Sequence, residues 1–183
     1  MPTDTITLFL DDLSRDFNDL TAAHAFSVAG IQQYAQHLAT PPDPLAGPDP
    51  VLLARTALGT HPAGWRRSEA REQVRPMGPI EVRLGHLWII SLYALWDSQY
   101  RGRLAALHGN QVEEEKYDLF GDLRLLRNDV VHRHGIASAG ETGRCVLLHW
   151  FQVGQEIRLE SCHLNEFFSR IPWSSLVNGP GAA

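Results

Sequence analysis

Apolar residues recur every three or four positions over most of this 183-residue chain, with polar residues between them. That spacing lays one face of an α-helix against a core. Ile6, Leu10, Leu13, Phe17 and Leu20 open the first stripe, and its phase continues through Ile31, Tyr34 and Leu38. The spacing predicts a helix over 3–38, with Thr3 or Asp4 as N-cap and a stop at Thr40-Pro41-Pro42. Gly30 and the small residues around Ala22 leave a kink, or a division into two helices, open. Residues 41–50 hold five prolines and Gly47, the composition of a turn-rich linker. A short helix over 50–58 is expected next. A long exposed loop over 59–79, with room for one helical turn, follows, in which Arg66, Arg67, Arg71 and Arg75 mix with Glu69 and Glu72.

The second major helix is expected over 79–107, with Pro79 in its first turn. Leu84, Leu87, Trp88, Leu92, Leu95, Trp96 and Tyr100 fill a face broad enough to call for burial on two sides, by the core and by a second subunit. Asp97, Tyr100 and Arg101 form a polar segment that would either approach the third helix's end and help shape the pocket or, in the plainer reading, leave Asp97 and Arg101 as an i, i+4 surface pair. Trp88 and Trp96 are expected in core or interface. A third helix is expected over 111–134. Its stripe is Val112, Tyr117, Leu119, Phe120, Leu123, Leu126, Val130 and Val131, and Glu113, Glu114 and Glu115 lie in its first turns, where the helix dipole favours carboxylates. Gly135 suits the position just past the helix end.

After Gly140 the pattern changes. Residues 144–151 read as a strand, Val153-Gly154-Gln155 as a turn and 156–159 as a second strand. Ser161 would cap a last helix over 162–171, and the tail 178–183 is expected to be disordered. The expected class is mainly α with a small C-terminal β-hairpin over 144–159. Residues 1–177 are expected to form a single domain, with 41–79 as its Pro-rich linker and loop.

The net charge of −5 is not that of a general nucleic-acid binder, so any RNA contact must come from a local cluster of Arg and His. Two cysteines, Cys145 and Cys162, make no disulfide framework and show no metal-type spacing. The N-terminal residues lack a signal-peptide pattern, and no apolar run approaches the ~20 residues of a membrane helix. The expected setting is cytoplasmic, away from the membrane.

The densest chemistry is Arg127-Asn128-Asp129-Val130-Val131-His132-Arg133-His134-Gly135. Asn128 and His132 share a helix face at i, i+4, and Arg127 flanks it. Arginine offers a permanently charged fork of donors for a phosphate oxygen and for the charge that builds on a pentavalent phosphorus. An imidazole ordinarily titrates near neutrality and can take a proton from a ribose 2′-hydroxyl or give one to a leaving 5′-oxygen. Asn128 is placed to hydrogen-bond the His132 ring. Together these are the parts for metal-free RNA cleavage through a 2′,3′-cyclic phosphate, with no cofactor required. A second acid–base group is needed, and two-fold pairing of subunits would bring the same patch from both. Arg124, one turn before Asn128, and Arg133 and His134 beyond it are candidate RNA contacts. Asp129 reads as exposed, and Arg124 as free to pair at the surface with Asp122 or with neighbours of the Glu114 type.

The string Leu126-Arg127-Asn128-Asp129-Val130-Val131-His132 resembles the Arg-x4–6-His signature of HEPN domains, in which a polar residue, often Asn, follows the Arg. The resemblance implies an all-α bundle. It implies a dimeric, metal-independent endoribonuclease of the kind found among toxins and phage-defence effectors, with Arg127 and His132 as catalytic pair and Asn128 as the accompanying polar residue. His134 offers an Arg-x6-His reading of the same string. Some HEPN domains are inactive and serve as interaction or nucleotide-binding modules. An antitoxin or a nucleotidyltransferase is the kind of partner protein the resemblance suggests.

Overall fold

The computed structural model describes residues 3–39, 52–54 and 63–180, with side chains over 5–39 and 66–180. The protein is mainly helical. Its elements are α1 (Thr3–Ala39), β1 (Leu52–Ala54), β2 (Ala63–Trp65), α2 (Arg67–Val74), α3 (Pro79–Leu95), a π-helical turn (Trp96–Tyr100), α4 (Arg101–His108), α5 (Asp118–His132), α6 (Ser161–Ser169) and α7 (Trp173–Asn178). Single 3-10 turns lie at Val112–Glu114 and Thr142–Arg144. The chain divides into two compact units, Met1–His24 with Gly85–Ala183, and Ala25–Leu84. No described helix is long and apolar enough to cross a membrane.

The larger unit is organised by aromatic side chains. Phe9, Leu13 and Phe17, spaced by four along α1, are each at most 1 % exposed. Tyr100 meets the Phe9 and Phe17 rings edge-on at 5.6 and 6.2 Å, and its hydroxyl donates to Asp16 at 2.6 Å. Trp96 stacks on Phe120 at 3.7 Å, and Trp88 meets Phe167 edge-on at 5.5 Å while its indole N–H donates to Thr21. Both tryptophans thus belong to the core. Residues four apart on an α-helix drift by about 40° around the axis at each step. The wider π-turn at Trp96–Tyr100 removes part of that drift, and Trp88, Leu92, Trp96, Tyr100 and Leu104 are all buried along one face. The broad apolar stripe over 84–100 is therefore taken up within the chain, except for Leu87, which is 56 % exposed.

The smaller unit packs Leu38, Ala70 and Val74 with Ile31, Ala35 and Ile80. Within 59–79, the described residues 63–79 are not the loop that their polarity predicts. They contain β2 and two turns of helix in α2, whose arginines serve the fold. Arg67 and Arg71 donate to the Leu38 carbonyl, both at 2.8 Å, and satisfy the C-terminal end of α1. Leu52–Ala54 is an antiparallel strand against Ala63–Trp65, in place of the helix expected over 50–58. Residues 40–51, with the proline linker, lie outside the described residues.

Three further expectations are corrected. The third helix does not begin at residue 111. Glu115 is buried, and its carboxylate accepts from His108 Nδ1 at 2.9 Å, Asn110 Nδ2 at 2.9 Å and Tyr117 Oη at 2.7 Å. Turning Glu115 inward interrupts the helix, and α5 starts at Asp118. The hairpin over 144–159 does not form. The amides of Val146, Leu147 and Leu148, which a strand ladder would need, donate instead to the buried Asp122 carboxylate at 2.6–3.0 Å. Residues 154–157 bond to 135–137 through Ala137 N to Gln155 O, Gly154 N to Ala137 O and Ile157 N to Gly135 O, a single bridge of β character. The tail is ordered through 180: α7 runs to Asn178 because Leu176 is fully buried. Residues 181–183 lie outside the described residues.

Candidate functional site

Helix α5 carries Arg124, Arg127, Asn128 and His132, and Arg133 and His134 follow directly after it. Its core stripe, Leu119, Asp122, Leu123, Leu126, Asp129 and Val130, includes two acids that are buried seven residues apart. Asp129, expected to be exposed, is fully buried. Its Oδ2 accepts from the Ser138 and Thr142 amides at 2.7 and 3.0 Å, and its Oδ1 from the Ser138 hydroxyl at 2.7 Å. Burial pushes its pKa up, but the hydrogen bonds from Ser138 and Thr142 outweigh it and hold the carboxyl below the usual range. Asp122 is buried as well, so it forms no surface pair with Arg124.

This clamp fixes the end of the helix. The amides of Arg133 and Gly135 both donate to the Asp129 carbonyl, and the chain reverses through His134 (φ 55°) and Gly135 (φ 75°). Gly135 is required there for a second reason. A Cβ at this position would lie 2.3 Å from the His86 ring, which hydrogen-bonds the Ile157 carbonyl at 2.8 Å.

On the outer side, Arg127 Nη1 donates to Asn128 Oδ1 at 3.1 Å, and Asn128 Nδ2 donates to Glu141 Oε2 at 3.1 Å. Glu141 is tied in turn through its amide to the Ser138 hydroxyl at 3.2 Å. The run Arg127–Asn128–Glu141–Ser138–Asp129 links the half-buried outer residues to the buried clamp. Asn128 therefore spends both ends of its amide on Arg127 and Glu141, and the structure gives it no bond to the His132 ring. Arg127 makes no ion pair with a carboxylate among the described residues. His132, in the last turn of α5, and Arg133 and His134 beyond it are exposed and make no side-chain hydrogen bond there. The structure therefore joins Arg127 to Asn128, keeps His132 one turn further along the same helix, and leaves its ring open to solvent. Sequence reasoning missed Glu141, which lies in the loop after α5 and has no motif of its own. It also missed Asp129, whose position in phase with Leu119, Leu126 and Val130 was the available signal.

The same helix forms one wall of a cleft of about 510 Å³, lined among others by Tyr93, Lys116, Gly121, Arg124 and Arg144. The expected Asp97–Arg101 pair is present at 3.3 Å on its rim. Cys145 is buried and its thiol is pushed up to about 12, first by burial and then by the charges of Asp122 and Asp129. Cys162 is exposed, and the two are free thiols.

The buried Asp129 predicts a pH signature. Its folded pKa lies below that of an unfolded aspartate, ~3.9. Its contribution is then complete above that value and is lost as pH falls through the folded pKa. Urea unfolding of the parent and of Asp129→Asn should differ clearly at pH 7, with the gap narrowing below pH ~4. A gap that does not change with pH would contradict the clamp.

The sequence matches no protein-family model, and neither a curated protein nor a solved structure proved similar to it.

Proposed function

We propose that the protein is a HEPN-like, metal-independent endoribonuclease, and that the end of α5 is its active site. The observation that carries this reading is the state of the two key side chains. Arg127 and His132 stand about 1.4 turns apart on a helix end tied down by the Asp129 hydrogen bonds, and neither is committed to a carboxylate among the described residues. A guanidinium held by a neutral amide keeps its full charge for an anion, whereas one paired with Asp or Glu has already found its partner. The Asn128–Glu141 bond then becomes a positioning device for Arg127 rather than for the imidazole.

In the reaction, the ribose 2′-oxygen bonds to the adjacent phosphorus as the bond to the 5′-oxygen breaks. A base takes the 2′-hydroxyl proton and an acid delivers one to the departing 5′-oxygen, leaving a 2′,3′-cyclic phosphate and a 5′-hydroxyl. Arg127 holds a non-bridging oxygen and offsets the negative charge of the transition state. His132 fills one acid–base role. The second comes from His132 of an identical subunit in a homodimer. Val131 and Ile136, exposed at 42 % each beside the patch, are apolar surface that such a pairing would cover. A toxin or defence role, and an antitoxin or nucleotidyltransferase that restrains the protein, are consistent with this chemistry.

Labelled RNA and the matching DNA, each incubated with the purified protein in excess EDTA, test the reading. RNA alone should be cut. Cleavage that requires an added divalent metal, or equal cleavage of DNA, contradicts it.

A further inference from the structure

The cleft beside α5 is not part of the Arg127–His132 patch, yet it opens on the same side of the same helix. Arg124, Asn128 and His132 follow one another at i, i+4, so a ligand lying along this face passes from the cleft into the patch within about 12 Å at ~1.5 Å per residue. We propose that the cleft is a subsite for a single-stranded RNA segment next to the scissile phosphate, a proposal that rests on the reading above.

Four features of the cleft point to that ligand. First, its charges are unequal in availability. Arg101 is tied to Asp97 and to the Glu115 carbonyl, and the buried acids Asp122 and Glu115 are enclosed by hydrogen-bond donors. Lys116, Arg124 and Arg144 form no ion pair among the described residues, and of the two exposed acids that line the cleft, Asp97 is paired with Arg101 and Asp118 is left to face them. Three available cations in one cleft of a chain with net charge −5 make it a local site for a phosphate backbone. Second, Tyr93 gives the cleft an aromatic wall. Its hydroxyl lies in the fields of Asp97, Arg124 and Arg101, and burial together with Asp97 keeps it protonated. An aromatic ring beside free cations is the combination that holds a base and its phosphate without demanding a particular base.

Third, Gly121 closes the first turn of α5, where glycine is a poorer helix former than alanine. Nothing lies within 4 Å of where its Cβ would be, so no packing within the protein requires a glycine there. A bare backbone on a cleft wall does admit a close-lying ligand. Fourth, the size suits the purpose: about 510 Å³ is within the ordinary range for a small-molecule site, of the scale of a nucleotide.

The test uses the full chain carrying His132→Ala, so that RNA survives the titration. A 5′-fluorescein-labelled single-stranded RNA is followed by fluorescence anisotropy. Adding Arg124→Gln should raise Kd about tenfold and lower the slope of log Kd against log salt by about 1. Adding Gly121→Met should raise Kd by a similar factor with no loss of thermal stability, because it fills the cleft while improving helix propensity. Arg83→Gln removes the same charge from a residue that does not line the cleft and should change Kd less than twofold. If both cleft variants stay within twofold of the His132→Ala protein, or that protein does not bind the RNA, the subsite is wrong. The nuclease reading is judged separately, by cleavage with His132 intact. Cleavage that depends on His132 but ignores the cleft variants in both binding and rate overturns the subsite alone. Cleft-dependent binding without cleavage upholds the subsite and overturns the nuclease.

Discussion

Asp122→Ala should destabilise the protein by about 4 kcal/mol, read as a fall in the urea midpoint at pH 7. The carboxylate is 2 % exposed and receives the amides of Val146, Leu147 and Leu148. Alanine would leave those donors facing an apolar interior, and each buried, unsatisfied group costs roughly 1–3 kcal/mol. Val146 is exposed enough for its amide to turn to water, which keeps the total below the upper bound. Asp122→Asn retains one acceptor oxygen of similar shape and should lose about half as much. Against the ~5–15 kcal/mol that folds an ordinary domain, the alanine variant would be marginal at 37 °C. A loss under ~1 kcal/mol would mean that these amides are satisfied some other way, and the account of the region after α5 would fail with it.

His132→Ala should lower the rate of RNA cleavage by 10²–10⁴-fold, on the order of what a positioned general acid or base supplies. Arg127→Ala should cost about 10²–10³-fold by removing a preorganised donor from the developing charge. Arg127→Lys should not recover most of it, since the fork that Asn128 holds through Nη1 is lost. None of these changes should move the thermal midpoint by more than a degree or two, because His132 is exposed and Arg127 is only half-buried. A His132→Ala protein that cuts at the parental rate would remove this residue from the mechanism and shift attention to His134.

Much of the framework can be read from spacing alone. The stripes Phe9–Leu13–Phe17 and Leu92–Trp96–Tyr100 place their helices because apolar burial is periodic and local. The apparent hairpin misleads for a reason of the opposite kind. Cys145 to Phe151 is rich in β-formers, and some of its side chains do reach the core, as Leu148 does at 0 % exposure. What decides its backbone is a carboxylate more than twenty residues upstream, and no local pattern encodes that. Asp122, Asp129 and Glu115 share this logic. An acid is expected outside unless it is satisfied inside, and here the satisfying groups are backbone amides after α5 for Asp122 and Asp129, and the side chains of His108, Asn110 and Tyr117 for Glu115, none of which the apolar period reveals. Two of the three did leave a trace: Asp122 and Asp129 fall in phase with Leu119 and Leu126, where a solvated acid has no place. At the site, the Arg127-Asn128-His132 grouping is visible as a string, but the partners of Asn128 are not. Glu141 reaches it only after the chain has reversed at His134–Gly135.

The most direct test is the end chemistry of the cut. A DNA strand carrying a single ribonucleotide offers one 2′-hydroxyl, and the protein is incubated with it in EDTA. The account predicts one cut, on the 3′ side of that ribose, leaving a 2′,3′-cyclic phosphate and a 5′-hydroxyl, with no product from His132→Ala. A 5′-phosphate at the cut would mean that water rather than the ribose attacked phosphorus, and would contradict the mechanism.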